Sequence, residues 1–407
     1  MDRRKFLELS ASGLFLSGLS PEILAMHSAS RRGRCGKDGS YSVVMLGDTH
    51  YDTAPESVYH VGYTIANAER EAAHRKEFVR DAEMWEKYSP RLLKRAACLV
   101  DDDTRLVYQT GDIIQGDTGN IETHLRMLDD AFRRIKAEFP DVPLVTVAGN
   151  HDVRAKDDAF AREAYLNYMP ARMSSELGVQ VDSSDFSFRI GPDAFVVIDF
   201  NKPDDEKVAS LIAEASDARY IFVLIHCTVF PYDSTKYFRW YYHGKDKNPA
   251  ARDRMRRILA ENNAIVLCGH THTTEFLDWY GDGGRITQMT MNSVWRNDAT
   301  GVYEIQSEGP AQYGRKASQP VFDEFRPGLK AYSRSLAAGS YKMNVSDGGV
   351  TVDFYPGDST CLFWNSCRML ILPVKMKQGL LNICVVLWLP ERLSLMTDLL
   401  ESRCRNG

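Results

Sequence analysis

Apolar and polar positions along this chain follow two different periods, and the change from one to the other marks out its elements. Short apolar runs bounded by Gly, Asp, Asn or Pro predict buried strands at Val43-Val44-Met45-Leu46, Leu106-Val107-Tyr108, Leu144-Val145-Thr146-Val147, Phe222-Val223-Leu224-Ile225 and Ile265-Val266-Leu267. Helical spacing of apolar residues predicts helices over Ala66 to Leu99, broken at Pro90, and over Thr123 to Phe139, Asp158 to Tyr168, Asp204 to Ala215 and Asn248 to Asn262. Phe186 to Ile190 and Ala194 to Phe200 read as a hairpin around Gly191-Pro192-Asp193, which belongs in a second sheet. Ser340 to Val345 and Val350 to Tyr355 form another, turning at Ser346-Asp347-Gly348-Gly349. Buried strands alternating with helices predict the α/β class.

Each of the five buried strands ends in a polar tip. The tips are Gly47-Asp48-Thr49-His50, Gly111-Asp112, Gly149-Asn150-His151-Asp152, His226, and Gly269-His270-Thr271-His272. In an open α/β sheet ligands collect beyond the carboxyl ends of parallel strands, so the five tips are expected to converge. Side chains two apart on an extended segment point the same way, so Asp48 with His50, and His270 with His272, each offer two donors on one side. Any one of these histidines alone is an ordinary surface or hydrogen-bonded residue. Five such pieces in order, each after an apolar strand, read as a site for two metal ions.

A carboxylate bridges two ions well, and Asp112 takes that role. Asp48, His50, Asp112 and His272 then hold one ion, and Asp112, Asn150, His226 and His270 the other. A nitrogen and oxygen donor set with open positions suits Mn, Fe, Zn or Co better than Mg or Ca. Two divalent ions, less the charges of Asp48, Asp112 and a bridging hydroxide, leave about one positive charge to attract a phosphoryl group. The expected chemistry is hydrolysis of a phosphate ester, with His151 stabilising the transition state or protonating the leaving oxygen. His27, His60, His74, His124 and His243 read as solvated or structural, although the position of Tyr51, Asp52 and His60 just after the first tip also makes them candidate substrate contacts.

The ordered motifs resemble the calcineurin-like metallophosphoesterase superfamily over about residues 41 to 295. The resemblance implies a four-layer α/β/β/α sandwich, a dinuclear centre on the positions just named, and His151 as acid or transition-state partner. Gln115 stands where protein phosphatases of this superfamily carry the aspartate that orients the histidine, which leaves Asp117 or Asp152 to substitute. Gln115 also stands where purple acid phosphatases carry a tyrosine ligand, so no charge-transfer colour is expected. The pattern is closer to exported, phosphodiesterase-like members, and a phosphodiester is preferred over a monoester; a phosphomonoesterase, nucleotidase or nuclease is the alternative enzyme, and a metal-free binding scaffold the non-enzyme alternative.

At 407 residues, 44% hydrophobic and 26% charged, the chain has the composition of a soluble globular protein with a large core. A formal charge of -5 gives no general basic footprint for nucleic acid. Asp2-Arg3-Arg4-Lys5-Phe6-Leu7 with the apolar stretch to Leu19 resembles a twin-arginine export signal over residues 1 to 30, too short to span a membrane as a mature helix. That implies the export machinery as a partner, a periplasmic or extracellular address and no stable membrane anchor. Cys98, Cys227 and Cys268 lie in or beside core segments and read as buried thiols, while Cys361, Cys367, Cys384 and Cys404 crowd the end of the chain.

Between His226 and His270, Tyr237, Arg239 and Trp240 lie in an aromatic segment that reads as a lid. Its rings could stack on a base or sugar, and Arg239 could meet a phosphate. The organisation expected is a catalytic domain over 41–300, a small β-rich extension over 301–358 packing on it, and an atypical tail over 359–407 whose composition favours a non-native end.

Overall fold

In the computed structural model the described residues are 39–53, 58–230, 249–294, 307–313, 320–357, 367–371 and 386–387. They fall in the second of two compact units, Cys35–Gly407. The export-signal segment, the lid residues Tyr237, Arg239 and Trp240, and most of the tail lie outside them.

The first sheet takes its parallel strands from the first three apolar runs. They are β1 (Tyr41–Leu46), β2 (Thr104–Gln109) and β3 (Leu144–Thr146), paired in that order. The second sheet holds β5 (Asp193–Ile198), β6 (Ile221–Ile225) and β7 (Ile265–Cys268), also parallel, with β4 (Phe186–Ile190) antiparallel on β5 as the expected hairpin. β8 (Thr274–Gly281) and β9 (Gly284–Thr290) follow, β9 pairing parallel to β7. The five tips therefore come from two sheets, three from one and two from the other.

Alternation along β5 and β6 explains the layering. Phe195, Val197, Phe222 and Leu224 point into a core shared with Val43, Met45 and Tyr341 of the first sheet. Val196, Ile198, Val223 and Ile225 point the other way, onto Val208 and Leu211 of α4 (Asp205–Glu214) and Met255 and Leu259 of α5 (Pro249–Glu261). A strand buried on both faces reads as a continuous apolar run, as these do. On the outer side of the first sheet lie α1 (Ala68–Ala97), α2 (Ile121–Glu138) and α3 (Asp158–Leu177). The result is two sheets flanked by helices, the α/β/β/α order expected.

Two helices run further than their sequence suggests. α1 continues through Pro90 and α3 through Pro170. A proline inside a helix removes one backbone hydrogen bond and costs about 3 kcal/mol. In α1 the turn after Pro90 buries Leu92, Leu93 and Ala96, and that apolar burial, at about 1.5–3 kcal/mol per large side chain, outweighs the break.

The described residues of the stretch 301–358, expected as an extension packing on the catalytic domain, add strands to both sheets. β10 (Ser307–Glu308) and β11 (Leu329–Ser335) complete the second sheet beyond β8. β12 (Gly339–Ser346) pairs antiparallel with β1, from Tyr41↔Val345 to Met45↔Tyr341, and β13 (Gly349–Pro356) pairs with β12. β1, which carries the first metal motif, is thus an inner strand. β14 (Cys367–Ile371) and β15 (Val386–Leu387) continue the same sheet. Among the described residues no helix is long and apolar enough to cross a membrane.

Candidate metal centre

Tight turns at the strand ends deliver the donors. His50, Asp112, His270 and His272 all have left-handed backbone, with φ of 42°, 50°, 70° and 51°. Non-glycine residues rarely adopt it, and such strain of about 1–3 kcal/mol per residue collects at functional sites. Gly149 and Gly269 allow the loops to meet. A Cβ on Gly149 would overlap the Asp112 amide and carboxylate, and one on Gly269 would overlap the Asp48 carboxylate.

The donors form two groups sharing Asp112. On one side His272 Nε2 lies 3.1 Å from Asp48 Oδ2 and 3.1 Å from His50 Nε2, which is 3.7 Å from Asp112 Oδ2. On the other, His226 Nε2 lies 3.1 Å from Asp112 Oδ2, 3.1 Å from His270 Nδ1 and 3.3 Å from Asn150 Oδ1. Asp112 Oδ1 accepts from the His151 amide at 2.7 Å, so Oδ2 is the oxygen that faces both groups. Asp48 accepts from the His270 amide and, at 2.9 Å, from the Thr110 hydroxyl. All seven expected donors are brought together.

The chemistry of these donors fits cations. His226 Nδ1 donates to the Thr110 carbonyl at 2.8 Å, so in the neutral ring Nε2 carries a lone pair aimed at carboxylate and amide oxygens. Burial opposes charge on His226, yet Asp112 and Asp48 outweigh it and raise its pKa to about 9. This cluster of acceptors favours positive charge, which a bound metal ion would supply. Asp48, His50 and His272 can hold one ion, and Asp112, His226 and His270 another. His151 stands beside the first group, its ring 4.4 Å from that of His50.

Neither expected carboxylate orients His151. Its Nδ1 donates to the backbone carbonyl of Gln115 at 2.9 Å. Asp117 is held instead by Arg154 and, at 3.2 Å, by His74. Asp152 accepts from the amides of Ile113 (2.8 Å), Ile114 (3.2 Å) and Gly149 (2.8 Å), locking the second and third motif loops together. Burial and the facing Asp112 carboxylate push Asp152 up to about 7. Burial holds His151 well below the ordinary histidine range, with the Arg154 guanidinium adding to the shift.

A model of the calcineurin-like phosphoesterase family matches residues 41–274. The chain belongs to this family. Solved structures similar to this calcineurin-like phosphoesterase include PhoD (13% identity, TM-score 0.47, covering 77% of this chain and 65% of that one) and purple acid phosphatase PPD1 from yellow lupin, Lupinus luteus (13%, 0.48, 85% and 58%). A dimetal phosphatase from Danio rerio is similar at 12% identity and TM-score 0.45, covering 81% of this chain and 98% of that one. The chain spans less than two thirds of the PhoD and lupin chains. No curated protein matches it.

The three described candidates for substrate contact, Tyr51, Asp52 and His60, are buried in the scaffold of this phosphoesterase. Tyr51 pairs its backbone with Ile114 and packs edge-on against Trp85, with ring centroids 4.9 Å apart. The His60 ring stacks on Phe78 and bonds Asp52 Oδ2 at 2.7 Å and the Asp117 carbonyl at 3.0 Å. Sequence reasoning missed other residues. The Asn201 amide donates to the Gly149 carbonyl at 3.1 Å, and the Phe200 ring lies 5.3 Å from His226 and 6.0 Å from His270. Both follow β5, whose apolar run and polar tip carry the signal used for the other strands. Asp81 was legible too, as an acid on the buried face of α1 between Phe78, Ala82 and Trp85.

Proposed function

We propose that this protein hydrolyses phosphate esters at a two-metal centre and prefers phosphodiesters. The observation that carries the reading is the pair of donor groups meeting at Asp112 Oδ2, 3.1 Å from His226 Nε2 and 3.7 Å from His50 Nε2. Asp48, His50, Asp112 and His272 would hold one ion, and Asp112, Asn150, His226 and His270 the second. When bound, such ions supply positive charge for phosphoryl oxygens and make a nucleophile available from water at neutral pH.

The chain's own residues do the rest. Thr110 fixes His226 through Nδ1, and Asp152 and Asn201 hold the loop carrying Asn150 and His151. His151, neutral and held through Nδ1, offers Nε2 as a proton acceptor. A proton taken there returns to the leaving oxygen as the ester bond breaks, which is acid–base catalysis by one imidazole. Two divalent ions, less the charges of Asp48, Asp112 and a hydroxide, would leave about one positive charge, which suits the single charge of a diester.

The test is hydrolysis of bis-p-nitrophenyl phosphate against p-nitrophenyl phosphate by protein reconstituted with Mn, Zn or Fe, with metal content from elemental analysis. About two ions per chain and diester cleavage support the reading. Monoester preference moves it to a phosphatase or nucleotidase. A folded protein that binds no metal and cleaves neither ester is a scaffold.

A further inference from the structure

The two metal positions differ in how their histidines are held. At His226 the Thr110 carbonyl accepts the Nδ1 proton at 2.8 Å, leaving Nε2 free to give its lone pair to an ion. His50 also faces the cluster through Nε2, but its Nδ1 lies 3.2 Å from the side-chain amide of Gln115. That amide is fully buried. Its partners decide which way it faces: only with its nitrogen turned toward His50, the oxygen and nitrogen exchanged, does it donate to Asp81 Oδ2 at 2.6 Å and accept from the Arg154 guanidinium at 3.0 Å. Arg80 Nε donates to Asp81 Oδ1 at 2.6 Å, which keeps the carboxylate an acceptor.

An amide nitrogen can only donate, so in this orientation His50 Nδ1 accepts and the neutral ring carries its proton on Nε2. A histidine that binds metal through Nε2 needs the opposite tautomer, with the proton on Nδ1 and an acceptor to receive it. Reversing the amide would set its oxygen against Asp81 Oδ2 and its nitrogen against Arg154. Two acceptors would face each other, and two donors.

We propose that Gln115 and Asp81 are positioning residues that hold His50 in the tautomer unready for metal, so that the His226 side fills first and the His50 side only when the Gln115 amide reverses. The inference rests on the metal-centre reading for its consequence and on hydrogen-bond geometry alone for its origin.

The experiment uses the full chain, metal-free, with 15N-labelled histidine. Two-bond 1H–15N spectra, with the His50 signals assigned by their loss in His50→Gln, should give the Nε2–H tautomer; an Nδ1–H tautomer overturns the proposal. Mn2+ is then titrated calorimetrically. The wild type should bind in two steps, with the step lost in His50→Gln the weaker by about tenfold or more. Asp81→Asn supplies a donor to the reversed amide, and Asp81→Ser, smaller, removes the acceptor should the Asn variant not fold. Either should move His50 to Nδ1–H and tighten the weaker step about tenfold, leaving the stronger step unchanged. Unchanged or weakened binding in a folded variant, with His50 still Nε2–H, overturns the proposal. A wild type that binds no Mn2+ sinks the metal-centre reading instead, and the spectra still decide the role of Gln115.

Discussion

His124 is fully buried and His151 half-buried, and their neighbours give them different tasks. His151 is held through Nδ1 by the Gln115 carbonyl and lies beside the metal donors. His151→Ala should keep both ions and lower kcat by about 10²–10⁴-fold, most for esters with poor leaving groups. Elemental analysis and a leaving-group series check this, and an equal loss across the series would mean that Nε2 does not carry the leaving oxygen's proton. His124 bonds Thr118 and the Asp152 carbonyl, and burial lowers its pKa to about 4. A histidine depressed in this way binds fewer protons folded than unfolded between about pH 4 and 6.5, so stability rises with pH across that window. As pH falls from about 6.5 to 4 the folded state should lose about 3 kcal/mol through this group. Urea unfolding at several pH values should show that slope, reduced in His124→Gln. An unchanged slope would assign the loss elsewhere.

At the scale of elements, the motif loops matter more than the strands that carry them. The β3 tip reaches Asp112 only because Gly149 has no side chain. Gly149→Ala should destabilise the fold by about 1–3 kcal/mol, as overpacking does, and weaken Mn2+ binding by moving Asp112. Thermal unfolding and a Mn2+ titration check both effects, and undisturbed metal binding would show that the loops tolerate separation. Strand existence and the hairpin at Gly191-Pro192 were legible because buried parallel strands and tight turns leave strong local patterns. The continuation of α1 through Pro90 was not. Local propensity stops a helix at proline, and only the burial of Leu92, Leu93 and Ala96 overrides it. For the same reason no local signal shows that the His151 partner is a backbone carbonyl.

For the whole molecule, the question is whether the part after residue 301 can be removed. β12 pairs with β1 along Tyr41 to Met45, and Tyr341, Met343 and Val345 are buried in the shared core. A chain ending after residue 338 should therefore fail to unfold cooperatively and should bind no Mn2+. Cooperative calorimetric unfolding with intact metal binding would show that β12 and β13 are dispensable for the fold and the site. The sequence by itself determined the α/β class, the five strand-end motifs and the seven candidate metal donors. Strand periodicity and motif order are local properties, and each motif puts its donors at a strand end, where the sequence alone can place them. Only the tertiary structure decided that the motifs come from two sheets, that β12 makes β1 an inner strand, and that Gln115, Asp81, Thr110 and Asn201 hold the donors in place. Those contacts join residues far apart in the chain, through hydrogen bonds and buried surfaces that exist only once both sheets have closed on the core.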